Sequence, residues 1–164
     1  QPEPEAVAVA VETTMPQREA ALEIMSVVDS PSETRVSPEL ALADSGISPG
    51  DVDAVNAHAT STRAGDQVEA DALKAVFGSR VPPVTANKSL TGHAMGASSA
   101  IEAILAMEGM LAGILPPTIN HVPDPLIALD CVSEGARKLD QEFVLKNAFG
   151  FGGCNACVVF QRIG

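Results

Sequence analysis

The hydrophobic pattern of the first third of the chain is weak. An alternation of Ala and Val at 6–11 has too little bulk to distinguish a helix from a strand, and the apolar spacing within 16–28 predicts a helix. Prolines and hydroxyl residues predict a loop at 30–38. A short helix over 39–45 should then end at Gly46, in the left-handed conformation that favours glycine.

The pattern is sharper from residue 52 onwards. A short buried strand is predicted at 53–57, and another at 81–88. Between them, Asp66 is predicted to cap a helix that ends at Gly78. The predicted apolar face of that helix comprises Val68, Ala72, Leu73, Val76 and Phe77.

The longest apolar segment lies at 96–113, where nearly every helical position is apolar. Such a helix is normally buried on all sides. The segments 142–149 and 155–163 are rich in Val and Phe and flank a glycine-rich tip at 150–153, which predicts a hairpin. Strands mixed with helices in this way predict a layered α/β domain.

Composition narrows the choice of function. The 164 residues are 46% hydrophobic but only 3% aromatic, with no Trp or Tyr, so a surface that stacks bases on aromatic rings is not expected. The net charge is −11, and residues 1–53 carry 11 acidic but only two basic side chains. This charge argues against nucleic acid or an anionic membrane as a partner.

Cysteine content and hydropathy predict a location inside the cell. The three cysteines are an odd number in a chain long enough to fold without disulfides, so reduced thiols are expected. No signal-like segment opens the chain, and no apolar stretch is expected to reach membrane-spanning length. Because the first residue is Gln1 rather than Met, a processed or excised piece is expected.

Two histidines are candidate catalytic residues. His58 follows the predicted strand at 53–57 and precedes several hydroxyl residues, as in a polar pocket at a strand end. The alternative is a structural histidine bonded to loop carbonyls. His93 precedes the apolar helix, whose partial positive charge keeps an imidazole neutral and able to donate to a developing oxyanion. The alternative is a residue that only caps the helix.

Glu102 is a lone acid in the middle of the apolar helix, and its burial requires a cation. Lys88 is the only basic residue between Arg80 and Arg137, so we expect it to pair with Glu102. The pair is either purely structural or a means of tuning the neighbouring His93.

The glycine-rich tip at 150–153 differs from a phosphate-binding loop, because it joins two strands and lacks the lysine of a P-loop. It predicts either a plain turn or backbone amides that point at a substrate oxygen, with Phe149 and Phe151 as cavity walls. No metal site is expected, since apart from Cys154 and Cys157 the histidines and cysteines lack the usual ligand spacing. The odd offset between Cys154 and Cys157 sends their side chains to opposite faces of a strand.

Six segments form an ordered series of motifs. They are Val55-Asn56-Ala57-His58-Ala59-Thr60-Ser61-Thr62, Gly65-Asp66 with Glu69, Lys88-Ser89-Leu90-Thr91-Gly92-His93, Gly96-Ala97 with Glu102, Pro116-Pro117-Thr118-Ile119-Asn120, and Asn147-Ala148-Phe149-Gly150-Phe151-Gly152-Gly153. The series closely resembles the C-terminal half of β-ketoacyl-[acyl-carrier-protein] synthases of the KAS I/II type, in the thiolase-like superfamily.

The resemblance covers 46–164, which we expect to be the C-terminal domain of such a synthase. Residues 1–45 match weakly and are expected to form an acidic segment with a strand, a loop and a short helix. The resemblance implies a thiolase-like α/β fold, in which a mixed sheet is layered with helices and one apolar helix is buried.

The resemblance also implies decarboxylative Claisen condensation of a malonyl thioester with an acyl thioester, in fatty-acid or polyketide synthesis. By motif, His58 and His93 would stabilise the enolate, and Lys88 would support His93. The other residues to which the motifs give roles are the supporting acids Glu102, Asp66 and Glu69, the oxyanion-hole and gate residues Phe151, Gly150 and Gly152, and the pantetheine contacts Thr60 and Thr62.

The largest departure from the family is the nucleophile. None of Cys131, Cys154 and Cys157 stands at the place of the family's reactive cysteine, which lies in the first half of the synthase. We therefore expect a fragment or subunit that is inactive alone and is completed by an N-terminal half, in dimers of complete units. Acyl carrier protein is the expected partner, and no cofactor is expected beyond the phosphopantetheine that carries the substrates.

Several alternatives stay open. A non-catalytic, chain-length-factor-like partner subunit would shape a tunnel, although such partners commonly lose the catalytic residues that are present here. A thiolase shares a Gly-His-x-x-Gly-Ala pattern with 92–97 and places a second cysteine in its last glycine-rich loop, near which Cys154 lies. Ala59 stands where many synthases have Gly. The expected location is the cytoplasm, with a plastid or mitochondrion as the alternative.

Overall fold

The computed structural model describes residues 9–11, 21–30 and 37–163, with side chains from residue 38 onwards. The strands are β1 (Val9–Val11), β2 (Ala21–Ser30), β3 (Ala54–Asn56), β4 (Val84–Thr85), β5 (Ile114–Leu115), β6 (Arg137–Lys138), β7 (Phe143–Phe149) and β8 (Asn155–Ile163). The helices are α1 (Ser37–Ser45), α2 (Arg63–Phe77), α3 (Lys88–Thr91) and α4 (Ser98–Ala112). Residues 31–36 of the predicted loop at 30–38 lie outside the described residues.

Six strands form one mixed sheet in the order β1-β2-β8-β7-β3-β4. The first four strands in that order are antiparallel to their neighbours, whereas β7, β3 and β4 run parallel. Strands β5 and β6 pair separately. Strand β3 lies between β7 and β4 and runs parallel to both. The carboxyl ends of β3 and β7 therefore lie at the same edge of the sheet, as in other α/β sheets.

Alternation along the strands divides the core into two layers. One cluster joins α1 and α2 to the sheet through residues such as Leu73, Val55 and Leu145. The other joins α4 to the opposite face, with Met110 against Val144 and its neighbours. Successive strand residues point to opposite faces, so the sheet is covered by helices on both sides. The predicted layered α/β architecture is confirmed.

The predicted helix within 16–28 is wrong, because Ala21–Ser30 is strand β2, paired with both β1 and β8. The register shifts between Ile24 and Ser26, so Met25 is an extra residue in the ladder. Such a bulge breaks the two-residue period. The apolar residues Leu22 and Met25 are three apart in the sequence, a spacing that is also typical of a helix.

Helix α2 begins earlier than predicted, and its predicted apolar face is right except at Val68. Thr62, rather than Asp66, is its N-cap residue, and it ends before Gly78 as expected. Val68 is 67% exposed, whereas the neighbouring acid Glu69 is buried. Hydrophobicity alone predicts that Val68 is buried and Glu69 exposed. It cannot show that the carboxylate of Glu69 finds hydrogen-bond donors inside the protein.

Other predictions hold with adjusted boundaries. Helix α1 ends before Gly46, which has a φ of +69°. Strands β7 and β8 form the predicted hairpin around the glycine-rich tip. The strand predicted at 81–88 shrinks to β4, because prolines at its start have no N–H to pair and Lys88 already begins α3.

Helix α4 is not buried on all sides within the described part of the chain. Glu102, Ala106 and Met110 face the sheet, whereas Ile104 on the other side is 55% exposed. The segment Met95–Ala112 is also long and apolar enough to cross a membrane, so the expectation that no stretch reaches that length is wrong. Core helices pass the same test, and Glu102 is ion-paired inside the protein.

Candidate active site

A cavity of about 710 Å³ opens at the edge of the sheet where β3 and β7 end. The loop after β3, the start of α4 and the hairpin tip surround it. Its lining includes His58, Thr60, Thr62, Asp66, Glu69, His93, Phe149, Gly150, Phe151 and Cys154. Gly96 lines it as well, so the structure brings together residues from five of the six sequence motifs.

The loop after β3 is held by one buried carboxylate. Glu69 accepts the backbone N–H of His58 at Oε1 and that of Ala59 at Oε2, both at 2.8 Å. Its Oε1 also accepts from the side chain of Asn147 at 3.0 Å. Ala59 has a φ of +35°, a backbone conformation that residues other than glycine rarely adopt. These bonds offset the strain and place the His58 ring at the cavity.

His58 and His93 lie next to each other in the wall of the cavity. Their ring centroids are 5.9 Å apart and the rings are almost perpendicular. Phe149 packs against His58 at 5.5 Å. Nδ1 of His93 is 2.9 Å from the hydroxyl of Ser98, which also accepts the N–H of Ala94 at the start of α4. Both rings border the same cavity, so both can contact one small substrate group.

Lys88 and Glu102 pair as predicted, with 2.6 Å between Nζ and Oε1, and both are buried. The expected contact between Lys88 and His93 is replaced by contacts with His58. The ammonium donates to the His58 carbonyl at 2.5 Å and lies 3.4 Å from its Nδ1. Helix α3 begins at Lys88 and places its ammonium group against the loop after β3. His93 comes after the end of α3 and lies at the cavity.

The electrostatic surroundings keep His58 neutral. Burial, together with the positive charges of Lys88 and Lys146 and against an opposing contribution from Glu102, lowers the pKa of His58 to about 4. A neutral imidazole keeps one donor and one acceptor. It can hold a developing oxyanion through its N–H without first losing a proton.

The remaining predicted residues also lie around the cavity. The hydroxyls of Thr60 and Thr62 are 3.4 Å apart, and Asp66 accepts the N–H of Ser61 at 3.1 Å. Gly65 packs so closely that a Cβ there would lie 2.5 Å from the Thr62 hydroxyl. At the hairpin tip, the Phe151 ring is 92% exposed, while Gly150 and Gly152 flank it in the turn.

Three contributing residues were not predicted. Lys146 forms a second ion pair with Glu102, at 2.7 Å to Oε2, and is itself buried. Ser98 and Asn147 hold His93 and Glu69 as described above. The sequence did contain a signal for Lys146, because it is a lysine within the mostly apolar segment of β7. A charged side chain in a central strand requires a buried partner of opposite charge.

The cysteines occupy three different environments. Cys154 is exposed at the cavity just before β8 begins, whereas Cys157 is buried within that strand. Burial raises the pKa of the thiols of Cys131 and Cys157. Within the described residues, no group of three His, Cys, Asp or Glu side chains is placed to hold a metal ion.

Comparison with known proteins identifies the family. The profile of the beta-ketoacyl synthase C-terminal domain matches residues 8–122. The chain belongs to the beta-ketoacyl synthase family. The 3-oxoacyl-[acyl-carrier-protein] synthase 2 of Vibrio harveyi is 41% identical over 142 residues, which cover 82% of this chain and 34% of that protein. This ketoacyl synthase chain therefore spans about a third of the length of that relative.

Solved ketosynthase structures share the fold. The ishigamide ketosynthase/chain length factor superposes with a TM-score of 0.82 at 34% identity, over 87% of this chain and 38% of that one. AntDE:AntF, a type II polyketide synthase acyl-carrier protein in complex with its ketosynthase, gives 0.81 at 28% identity, over 87% and 39%. The predicted thiolase-like fold and the ketoacyl synthase resemblance are confirmed, and the family match favours the synthase over a thiolase.

Proposed function

We propose that this ketoacyl synthase chain supplies the enolate-stabilising half of a β-ketoacyl-[acyl-carrier-protein] synthase. The observation that carries the proposal is the pair of histidines whose rings meet at 5.9 Å beside one cavity. Two imidazole rings beside one cavity can both donate an N–H hydrogen bond to a single developing oxyanion. The family relationship supplies the substrate class, a malonyl thioester and an acyl thioester.

The proposed reaction begins with transfer of the acyl group from its carrier thiol to a cysteine. The malonyl thioester then loses carbon dioxide, and the electron pair of the broken C–C bond moves into the thioester to form an enolate. His58 and His93 donate hydrogen bonds to the enolate oxygen. The enolate carbon attacks the acyl thioester, and the cysteine thiolate leaves when the tetrahedral intermediate collapses.

The other site residues take supporting roles in this proposal. Lys88, paired with Glu102, holds the His58 side of the site, and Glu69 with Asp66 holds the loop that carries His58. The amide of Phe151, in the turn with Gly150 and Gly152, contributes to the second oxyanion site, and its ring gates the acyl pocket. Thr60 and Thr62 contact the pantetheine arm. No cofactor beyond that arm is proposed.

The nucleophile is proposed to come from an N-terminal half. Burial leaves Cys131 and Cys157 poorly suited to forming a thiolate, and Cys154 lies on the hairpin tip rather than at a helix start. We therefore propose that the active unit contains this chain, the N-terminal half and a second such unit, acts on acyl carrier protein, and works in the cytoplasm of a bacterium. Turnover by the isolated chain would overturn this part.

The decisive experiment uses the chain assembled with the N-terminal half of a β-ketoacyl-[acyl-carrier-protein] synthase. Malonyl-carrier-protein decarboxylation and condensation are measured for His58→Ala and His93→Ala. Each should lose roughly 10²–10³-fold in kcat, as when an oxyanion donor is removed. His121→Ala is the matched control, because His121 lines a second cavity and not the one between the catalytic histidines. Equal activity in all three variants would contradict the proposal.

A second candidate is a non-catalytic, chain-length-factor-like subunit. It is favoured by the structural similarity to a ketosynthase/chain length factor pair. In that case the cavity would shape a tunnel, and condensation in the assembled complex would be unchanged by His93→Ala. A loss of decarboxylation in the same variant excludes this candidate.

A further inference from the structure

Lys146 is a buried cation to which the proposed condensation gives no part. It lies on β7, in the middle of the sheet, and only 2% of its side chain is exposed. Alternation along β7 directs it to the same face as Val144, toward α4. There its Nζ lies 2.7 Å from Oε2 of Glu102 and donates to the carbonyl of Asn147. A lysine so placed needs a compensating partner.

Glu102 is shared between two lysines, each on its own oxygen. Lys146 occupies Oε2, and Lys88 occupies Oε1 at 2.6 Å. The three groups come from β7, α3 and α4, so the carboxylate joins three elements beneath the cavity. Without Lys146, one buried oxygen loses its cation and the carboxylate becomes free to rotate toward Lys88.

Lys88 in turn sets the protonation pattern of His58. Its ammonium donates to the His58 carbonyl at 2.5 Å and lies 3.4 Å from Nδ1. An ammonium group has three donors and no acceptor. Nδ1 must therefore face it with a lone pair, which leaves the ring proton on Nε2. A small displacement of Lys88 removes this selection.

We propose that Lys146 is a positioning residue for His58: by holding Oε2 of Glu102, it fixes the carboxylate that keeps Lys88 against Nδ1 of the ring. The inference deepens the proposed function and rests on it for any effect on turnover. Its effect on the ring of His58 follows from the contacts alone.

Charges on all sides of His58 determine how the ring responds. The groups that face it are Lys88 from α3, Lys146 from β7, Glu102 from α4, His93 from the loop before α4, and Glu69 and Asp66 from α2. Removing Lys146 takes away one of two cations and leaves the acids. The titration midpoint of His58 should then move upward.

The experiment uses the chain assembled with its N-terminal half, with ¹⁵N-histidine in this chain only. The chain has three histidines, so His58 can be assigned with single variants. Nitrogen shifts report the tautomer and the titration midpoint for the unaltered chain, Lys146→Met, Lys146→Arg and the exposed control Lys138→Met. The pH profile of malonyl-carrier-protein decarboxylation is recorded for the same four samples.

We expect the unaltered chain and Lys138→Met to hold the proton on Nε2 of His58. Lys146→Met should show mixed tautomers, a higher midpoint and a loss of roughly tenfold in kcat that is greatest at the acidic end. Lys146→Arg should recover most of each property. An unchanged tautomer and midpoint in Lys146→Met would overturn the inference.

Two further arrangements keep the test decisive. If Lys146→Met fails to fold, Lys146→Met combined with Glu102→Gln removes the unpaired charge while still freeing Lys88, and the same tautomer change is expected. If the unaltered complex shows no decarboxylation, the proposed function fails. The nitrogen spectra of His58 then still decide the part played by Lys146.

Discussion

At the scale of single residues, Glu69 shows how a buried acid organises the site. Its two oxygens accept two consecutive backbone N–H groups and one side-chain amide. Ala59 keeps its positive φ only while those bonds exist. The carboxylate thus holds His58 in place without touching its ring.

Replacement of Glu69 tests this role. Glu69→Ala leaves three donors without their acceptor, and we expect it to reduce the free energy of unfolding by about 2–4 kcal/mol. Chemical denaturation of the chain measures the change. Asp71→Ala on the exposed side of α2 is the matched control and should stay within about 0.5 kcal/mol. Similar values for the two variants would contradict the assignment.

His58 should make the free energy of unfolding depend on pH. Its pKa is about 4 in the folded chain, below the ordinary value of 6.5. The unfolded chain therefore binds the proton first, and the stabilisation is complete above pH 6.5 and lost as the pH falls toward 4. After allowance for the solvent around a half-exposed ring, the loss is about 1–2 kcal/mol.

The measurement compares unfolding free energies at about pH 7.5 and about pH 4.5 for the unaltered chain and His58→Gln. The variant should lose less stability on acidification, by about the amount given above. His121→Gln provides the control, because His121 does not line the cavity that His58 borders. An equal acid dependence in the unaltered chain and His58→Gln would show that the ring is not held neutral.

At the scale of elements, the sequence predicts those parts in which pattern and packing agree. The hairpin of β7 and β8, the helix α1 before Gly46 and the pair of Lys88 with Glu102 all follow from local signals. Strand β2 could not be predicted from its spacing, because one bulge residue shifts the apolar positions. Lys146 and Ser98 escaped prediction since their partners lie far away in sequence or depend on the turn before α4.

The two faces of α4 explain why its burial was overestimated. An apolar sequence on every side predicts complete burial, but the sheet covers only one face in this chain. The other face carries Ile101 and Ile104 with substantial exposure. We attribute this face to contact with the proposed N-terminal half, which would bury it.

Substitutions on the two faces of α4 should therefore behave differently. Met110→Ala, on the sheet side, should reduce the stability of the isolated chain by about 2–5 kcal/mol. Ile104→Ser should change it by less than about 0.5 kcal/mol. In an association assay with the N-terminal half, Ile104→Ser should instead weaken binding. Unimpaired association of that variant would rule out the exposed face as the contact.

At the scale of the whole molecule, charge is distributed unevenly. Residues 1–53 carry most of the net charge of −11, whereas the rest of the chain has 10 acidic and eight basic side chains. An acidic carrier protein finds little attraction on such a surface. We expect its docking to depend mainly on basic residues of the N-terminal half.

The boundary between the acidic segment 1–45 and the domain 46–164 stays a prediction.

Carrier-protein binding can test this distribution. By surface plasmon resonance, the isolated chain should bind holo-carrier protein weakly, with little dependence on salt. The assembled complex should bind more tightly, and its affinity should fall as salt screens the basic contacts. Tight, salt-sensitive binding to the isolated chain would place the docking surface here instead.

The hairpin tip before β8 gives this protein a ready point for chemical labelling. Cys154 opens onto the cavity, while Cys157 is enclosed and Cys131 is half-buried. A maleimide dye should therefore react first at Cys154 under native conditions, without any engineered thiol. Mass spectrometry of tryptic peptides would identify the modified residue, and Cys154→Ser should remove the fast phase. A fluorophore at that position would report directly on ligands that enter beside the two histidines.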